Sequence, residues 1–373
     1  MNKCENMQKL AHMLVNYSCS VKTGEKVLIE AENVPDEFLE ILIDEIWTAG
    51  GYPFIWNTTS AIKKAMLKKT DKTYAELRKK YDLPIMQDMD AVILVKAENN
   101  KFEEKCIKKE ALEANMIYYR EPVEFCERVE NTKWVLLAYP TPAFAQSAGM
   151  GTREFEEFYY KVCTLDYAKM SRAMDALVSL MERTDQVRLV GNGTNLEFSI
   201  KGQKAIKCDG KANVPDGEVY TSPIRNSLNG EITYSLPSLY LGTKFENVRF
   251  IIKNGKIIEA TAKENTEKLN EILNTDEGAR YFGEFAIGVN PFIKSPMLDI
   301  LFDEKICGSF HLTPGSCYKD APNGNTSAIH WDLVMGQTPE YGGGKIYFDD
   351  VLIRDNGKFV IEELFDLNPG NLI

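Results

Sequence analysis

Only three histidines occur in the 373 residues, His12, His311 and His330, so the company each one keeps is informative. Around His330 the chain reads Ser327-Ala328-Ile329-His330-Trp331-Asp332-Leu333-Val334-Met335. Read as a strand, this segment alternates with period two, so that His330, Asp332 and Val334 share one face and Trp331, Leu333 and Met335 the other. An imidazole and a carboxylate at neighbouring positions of one face suit a divalent cation, or a histidine steadied by a carboxylate. An exposed His-Asp pair on a half-solvated strand is the other reading of the same residues. His311 ends the small-residue stretch Cys307-Gly308-Ser309-Phe310 and enters the turn Thr313-Pro314-Gly315, which can swing Tyr318 back toward the imidazole. A histidine satisfied in the core would look the same. His12 lies at helical spacing in an amphipathic segment and reads as a helix residue without chemistry.

Two glutamates stand out by their surroundings. Glu284 sits in the apolar, glycine-flanked run Tyr281-Phe282-Gly283-Glu284-Phe285-Ala286-Ile287-Gly288. A carboxylate there faces a desolvation cost of several kcal/mol unless a cation or hydrogen bonds offset it. Glu218 opens a short strand between Pro215 and Pro223, where a turn-flanking surface glutamate is the plain alternative. Two imidazoles and several carboxylates without thiolates form the donor set of Zn²⁺, Co²⁺ or Mn²⁺. Paired sites of this composition hold ions about 3.5–4 Å apart and lower the pKa of a shared water, which then attacks amide or ester carbonyls.

The elements that must position these residues change character along the chain. In the first half, strand-like segments near 25–31, 53–56, 91–96 and 134–138 alternate with helical segments near 1–17 and 36–48, the rhythm of a mostly parallel α/β sheet. A long helical stretch follows over 154–181. From Val187 onward, short alternating runs and the turn pairs Asn192-Gly193, Asn229-Gly230, Asn254-Gly255 and Asn356-Gly357 predict hairpins. The expected organisation is an α/β region over 1–185 and a mostly antiparallel β domain over 186–373 that carries the metal site, with the boundary near 183–188 and one helix near 264–274.

Bulk properties exclude several classes. A net charge of −11 with no basic cluster argues against nucleic acid as a partner. No run of apolar residues suits a signal peptide or a membrane span, which predicts an unexported, cytoplasmic protein. The eight cysteines are scattered singly, which predicts reduced thiols and no thiolate zinc site. Neither a Walker loop, a dinucleotide fingerprint nor an H-E-x-x-H helix is present.

The segments NVPDGEVYTSP, GARYFGEFAIGVNP, LFDEKICGSFH, TPGSCY, SAIHWDLVMG and GGKIYFDDVLIRDNGKFV, in this order, resemble the thermophilic aminopeptidase family, which includes aminopeptidase T and aminopeptidase S. The match is close over 187–373 and looser in the first half. The resemblance implies a dimetal exopeptidase, a homodimer acting on short peptides. Its metal ligands fall on Glu218, Glu284, His311, His330 and Asp332, with a further glutamate on Glu304 and a catalytic tyrosine on Tyr318. Glu284 would also serve as bridging ligand and proton shuttle, and Tyr318 would donate to the tetrahedral oxyanion. The stretch Lys305 to Phe310 is longer here than in the best-known members. Two other readings stand beside this one: a dimetal hydrolase of another amide or a phosphoester, and a peptide-binding protein whose metal site has decayed.

Overall fold

The computed structural model describes residues 3–100 and 102–373. It separates into two compact units, Met1–Thr164 with Gly210–Pro215, and Leu165–Asp209 with Asp216–Ile373. The division falls ahead of the change in sequence texture near Asp185, because the helix Tyr167–Arg183 goes with the β-rich unit.

The first unit is built on parallel strands β1 (Lys26–Glu32), β2 (Tyr52–Thr58), β3 (Ala91–Lys96) and β4 (Lys133–Ala138), in the order β2-β1-β3-β4, with Asn213–Val214 parallel beside β4. Continuous apolar runs make this possible: Ala91 to Val95 are all buried, as a strand covered by helices on both faces requires. The helix Asp36–Thr48 connects β1 to β2 as its periodicity predicts. The N-terminal α-helix Lys3–His12 continues as a π-helix over Met13–Ser18, and His12 is exposed and bonded to Glu45, away from any cluster of metal-ligand types.

The second unit contains an eight-stranded antiparallel sheet running from Lys256–Thr261 at one edge to Lys358–Phe359 at the other. It faces a five-stranded antiparallel sheet made of β5 (Ile206–Cys208), β6 (Glu218–Thr221), β7 (Phe282–Gly288), β8 (Ser309–Pro314) and β9 (Leu333–Gly336), each paired with the next in that order. Phe198 of the larger sheet meets Phe285 of β7 edge to face at 5.1 Å, and Phe285 meets Phe310 of β8 at 6.2 Å. These contacts form the apolar layer between sheets.

Three of the four Asn-Gly pairs turn hairpins, but Asn229-Gly230 opens the strand Asn229–Thr233 instead. Gly230 has φ +127°, and a Cβ there would collide with the Asn195 carbonyl, so glycine is required by a close backbone approach rather than by a turn. The expected strand over 327–335 begins only at Leu333; His330 makes a single antiparallel bridge with Gly315, and Trp331 and Asp332 are irregular. The helix expected near 264–274 is Thr266–Leu273, and the β-rich unit also holds short helices at Ile300–Asp303, ahead of β8, and at Pro369–Leu372. No helix among the described residues is long and apolar enough to cross a membrane, and all eight cysteines are free.

Gly283 sits at an irregularity in the β7–β8 ladder, where any Cβ would run into the carbonyl and carbon of Ser316. Gly283→Ala should therefore cost about 1–3 kcal/mol in urea unfolding, because backbone rather than a mobile side chain has to yield. Unchanged stability would show that the Ser316 segment is free to move.

Candidate metal centre

Cross-strand register gathers the polar groups. Gly288 of β7 pairs with Glu218, Ala286 pairs with both Tyr220 and His311, and Glu284 pairs with Thr313. Directly paired residues and those two apart share a face. Glu218, Tyr220, Glu284, His311 and Thr313 thus project to one side of the sheet, and Phe285, Ile287, Phe310 and Leu312 to the other.

His330 and Asp332 reach the same place from an irregular segment that is clipped in position. Asp276 accepts from the Ser327 hydroxyl and the Ala328 amide, and Asn325 donates to the carbonyls of Gly278 and Gly315. Trp331 points away from its two neighbours: it stacks on Tyr240 at 4.6 Å, and its indole donates to Ser238. Period-two alternation survives here without a strand, and Asp332 lands where Thr313 donates to its carboxylate at 2.7 Å.

The five side chains converge. His311 Nε2 lies 3.4 Å from Glu284 Oε1 and 3.6 Å from Glu218 Oε2, while His330 Nε2 lies 3.1 Å from Glu284 Oε2 and 3.2 Å from Asp332 Oδ1. Two groups of mutually close donors result, Glu218-Glu284-His311 and Glu284-His330-Asp332, and they share Glu284. Tyr318, 46 % exposed, lays its ring 4.6 Å from that of His330. Glu304 belongs to neither group; its carboxylate is 2.6 Å from Lys305.

These donors fit a cation better than they fit one another. His330 Nδ1 is 2.8 Å from the Ser316 carbonyl, which can only accept, so Nδ1 carries the hydrogen. In the neutral ring, the lone pair of Nε2 then faces two carboxylate oxygens. Glu218 Oε2 and His330 Nε2 are buried without a hydrogen-bond partner of acceptable geometry. Two ligands about 2.0–2.1 Å from one tetrahedral ion lie roughly 3.4 Å from each other, which matches the separations found here. With three protein donors in each group, a fourth position stays open for water or substrate.

Without a metal, protons play the cation. Burial opposes charge on both rings, yet Asp332 and Glu284 hold His330 well above its ordinary value, and Glu218 and Glu284 push His311 up to about 9. Burial likewise opposes ionisation of Glu284, but the two imidazoles keep it below the usual carboxylate range. Burial pushes Glu304 up to about 8 against the pull of Lys305.

The profile of the thermophilic metalloprotease (M29) family matches residues 3–359. The chain belongs to this family. Aminopeptidase T of Thermus thermophilus is 24 % identical, covering 89 % of this chain and 92 % of that protein. The solved structure of wild-type AmpT from the same organism covers 96 % of this chain and 99 % of its own, with a TM-score of 0.80 at 19 % identity. The α/β first unit and antiparallel second unit are thus the fold of AmpT, and family membership makes the chain a metal-dependent peptide hydrolase. A 2,5-dihydroxypyridine dioxygenase from Pseudomonas putida KT2440 also shares the fold, with a TM-score of 0.65 at 12 % identity, so the fold by itself does not choose the chemistry.

Sequence reasoning missed Lys305 and Asp216. Lys305 is 1 % exposed, with Nζ 2.6 Å from Glu218 Oε1, 2.6 Å from Glu304 Oε1 and 3.4 Å from Asp216 Oδ1. A signal existed for Asp216, which stands two residues before Glu218 and so at the same parity. For Lys305 the only hint was a charge opening the otherwise small and apolar run to His311.

A metal must displace the imidazole protons, so uptake should release protons and strengthen as pH rises from 6 toward 9, by up to about tenfold per pH unit for each proton displaced. The metal-free protein should behave in the opposite way. Stability from the raised histidines is complete below their ordinary 6.5 and is lost as pH climbs, that from His311 through about 9, whereas that from Glu284 is present above its ordinary 4.5 and is lost on acidification. Calorimetry in buffers of different ionisation enthalpy, with melting temperatures of the metal-free protein, checks both; uptake without proton release contradicts the protonated pair.

Proposed function

We propose that this protein is a two-metal aminopeptidase acting on short peptides, with Zn²⁺, Co²⁺ or Mn²⁺ held by Glu218, Glu284 and His311 at one position and by Glu284, His330 and Asp332 at the other. The observation that carries this reading is the division of Glu284: one carboxylate oxygen faces His311 and the other faces His330. A carboxylate shared in that way is what a bridged pair of ions requires. Bound there, the ions would supply Lewis-acid polarisation of the scissile carbonyl and a water acidic enough to act near neutral pH.

The chain's own residues do the rest. Thr313 fixes Asp332, and the Ser316 carbonyl fixes the face of His330, so that neither donor has to reorganise when substrate arrives. Tyr318 lies beside His330 with part of its surface open to solvent, within reach of a peptide carbonyl. Desolvation and the negative field of Glu284 and Asp332 keep its phenol protonated, as a donor to a developing oxyanion must be. Glu304, held up to about 8, is the buried carboxyl suited to carry a proton near neutral pH. Leu239, Leu298, Ile300 and Val334 wall a recess beside Asp332, with Asp299 and Asp303 also lining it.

Tyr318→Phe should lower kcat by roughly 10²–10³ on an aminoacyl anilide while metal content is unchanged, and N-acetylation of that substrate should abolish turnover by the native protein. Normal turnover by the variant removes Tyr318 from the mechanism, and turnover of the acetylated anilide or of a phosphodiester at a comparable rate removes the exopeptidase reading.

A further inference from the structure

The two donor groups are not backed alike. In the group Glu284-His330-Asp332, the supporting contacts are neutral dipoles: the Thr313 hydroxyl on Asp332 and the Ser316 carbonyl on His330. In the group Glu218-Glu284-His311, one oxygen of Glu218 is already taken by the ammonium of Lys305 at 2.6 Å, and only the other oxygen, Oε2, is left without a partner on the His311 side. Lys305 is buried and held by Glu218, Glu304 and Asp216 together, so its positive charge is a permanent part of the site.

A metal ion on Glu218 Oε2 and the ammonium on Oε1 would share a single carboxylate. Like charges so placed repel at close range in a medium that screens them far less than water does. The charge of Glu218 is also partly neutralised before any ion arrives, which weakens it as a donor. Neither handicap applies to Asp332, whose partner is an uncharged hydroxyl.

We infer that Lys305 makes the two ion positions unequal, so that the ion at Glu218-Glu284-His311 exchanges readily while the ion at Glu284-His330-Asp332 is retained. This rests on the two-metal reading above. It gives the enzyme a response to its surroundings: one ion stays with the protein through purification, and the fraction of complete sites follows the free concentration of divalent metal. The glutamate that precedes Lys305 is part of the device, because Glu304 Oε1 lies 2.6 Å from the ammonium and helps to hold it beside Glu218.

Titration of the chelator-stripped full-length protein with Co²⁺, followed by calorimetry and by the cobalt absorption spectrum, tests the idea without reference to turnover. The native protein should bind two ions with dissociation constants at least tenfold apart and keep one per chain through gel filtration. His311→Ala should lose the weak class, and His330→Ala the tight one. Lys305→Gln combined with Glu304→Gln, which removes the ammonium together with the carboxyl beside it, should tighten the weak class at least tenfold, whereas Lys305→Arg should leave the classes unequal. Two equal classes in the native protein, loss of the weak class in His330→Ala rather than in His311→Ala, or an unaltered ratio in the double variant overturns the inference. Should the double variant not fold, the native titration and the two histidine variants still decide. Fewer than two ions at saturating Co²⁺ would instead sink the two-metal reading itself.

Discussion

Negative charge buried on one face of the five-stranded sheet is the constraint around which the second unit is arranged. Glu218, Glu284 and Asp332 are all withdrawn from water, and each would destabilise the fold if left unpaired. Four neighbours answer that charge: two imidazoles able to hold protons or share an ion, a threonine hydroxyl, and a lysine that is 1 % exposed. The same charge that costs folding free energy would attract a cation, so on the proposed reading stability and metal binding are two aspects of one electrostatic problem.

Strand register turns this problem into geometry. A slip of one residue in β7 against β8 would send Glu284 to the phenylalanine layer and Phe285 to the donors, which the burial of both faces forbids. Gly283 marks the place where the ladder gives way to let the Ser316 backbone approach, and the Ser316 carbonyl in turn sets the tautomer of His330. Positioning thus passes from a glycine to a carbonyl to an imidazole.

Much of this was legible before any coordinates. The apolar runs over 91–96 and 134–138 could only be covered strands, and the helix at 36–48 carried its own stop signal in Gly50 and Gly51. The donor types were legible because histidine is so rare here and because Glu284 stands in an apolar run. What sequence could not supply was the state of the backbone around those donors. His330 and Asp332 share a side through an irregular segment held by Asp276 and Asn325, contacts between residues far apart in the chain. Asn229-Gly230 looked like a turn because glycine's tolerance of positive φ is the same whether a turn or a neighbouring strand demands it. Lys305 was invisible as a site residue because Asp216 and Glu218 lie far from it in the chain, 87 positions in the case of Glu218, and only the fold brings that segment against Lys305 and its neighbour Glu304.

Since the same fold also hosts a dioxygenase, the assignment of chemistry rests on the donors rather than on the architecture. The most direct measurement is anomalous diffraction, at the absorption edge of the loaded metal, from crystals of the native protein. The account predicts two peaks about 3.5–4 Å apart, with the two oxygens of Glu284 on different peaks and His311 and His330 about 2.0–2.1 Å from one peak each. A single peak, or metal bound away from Glu284, would contradict it.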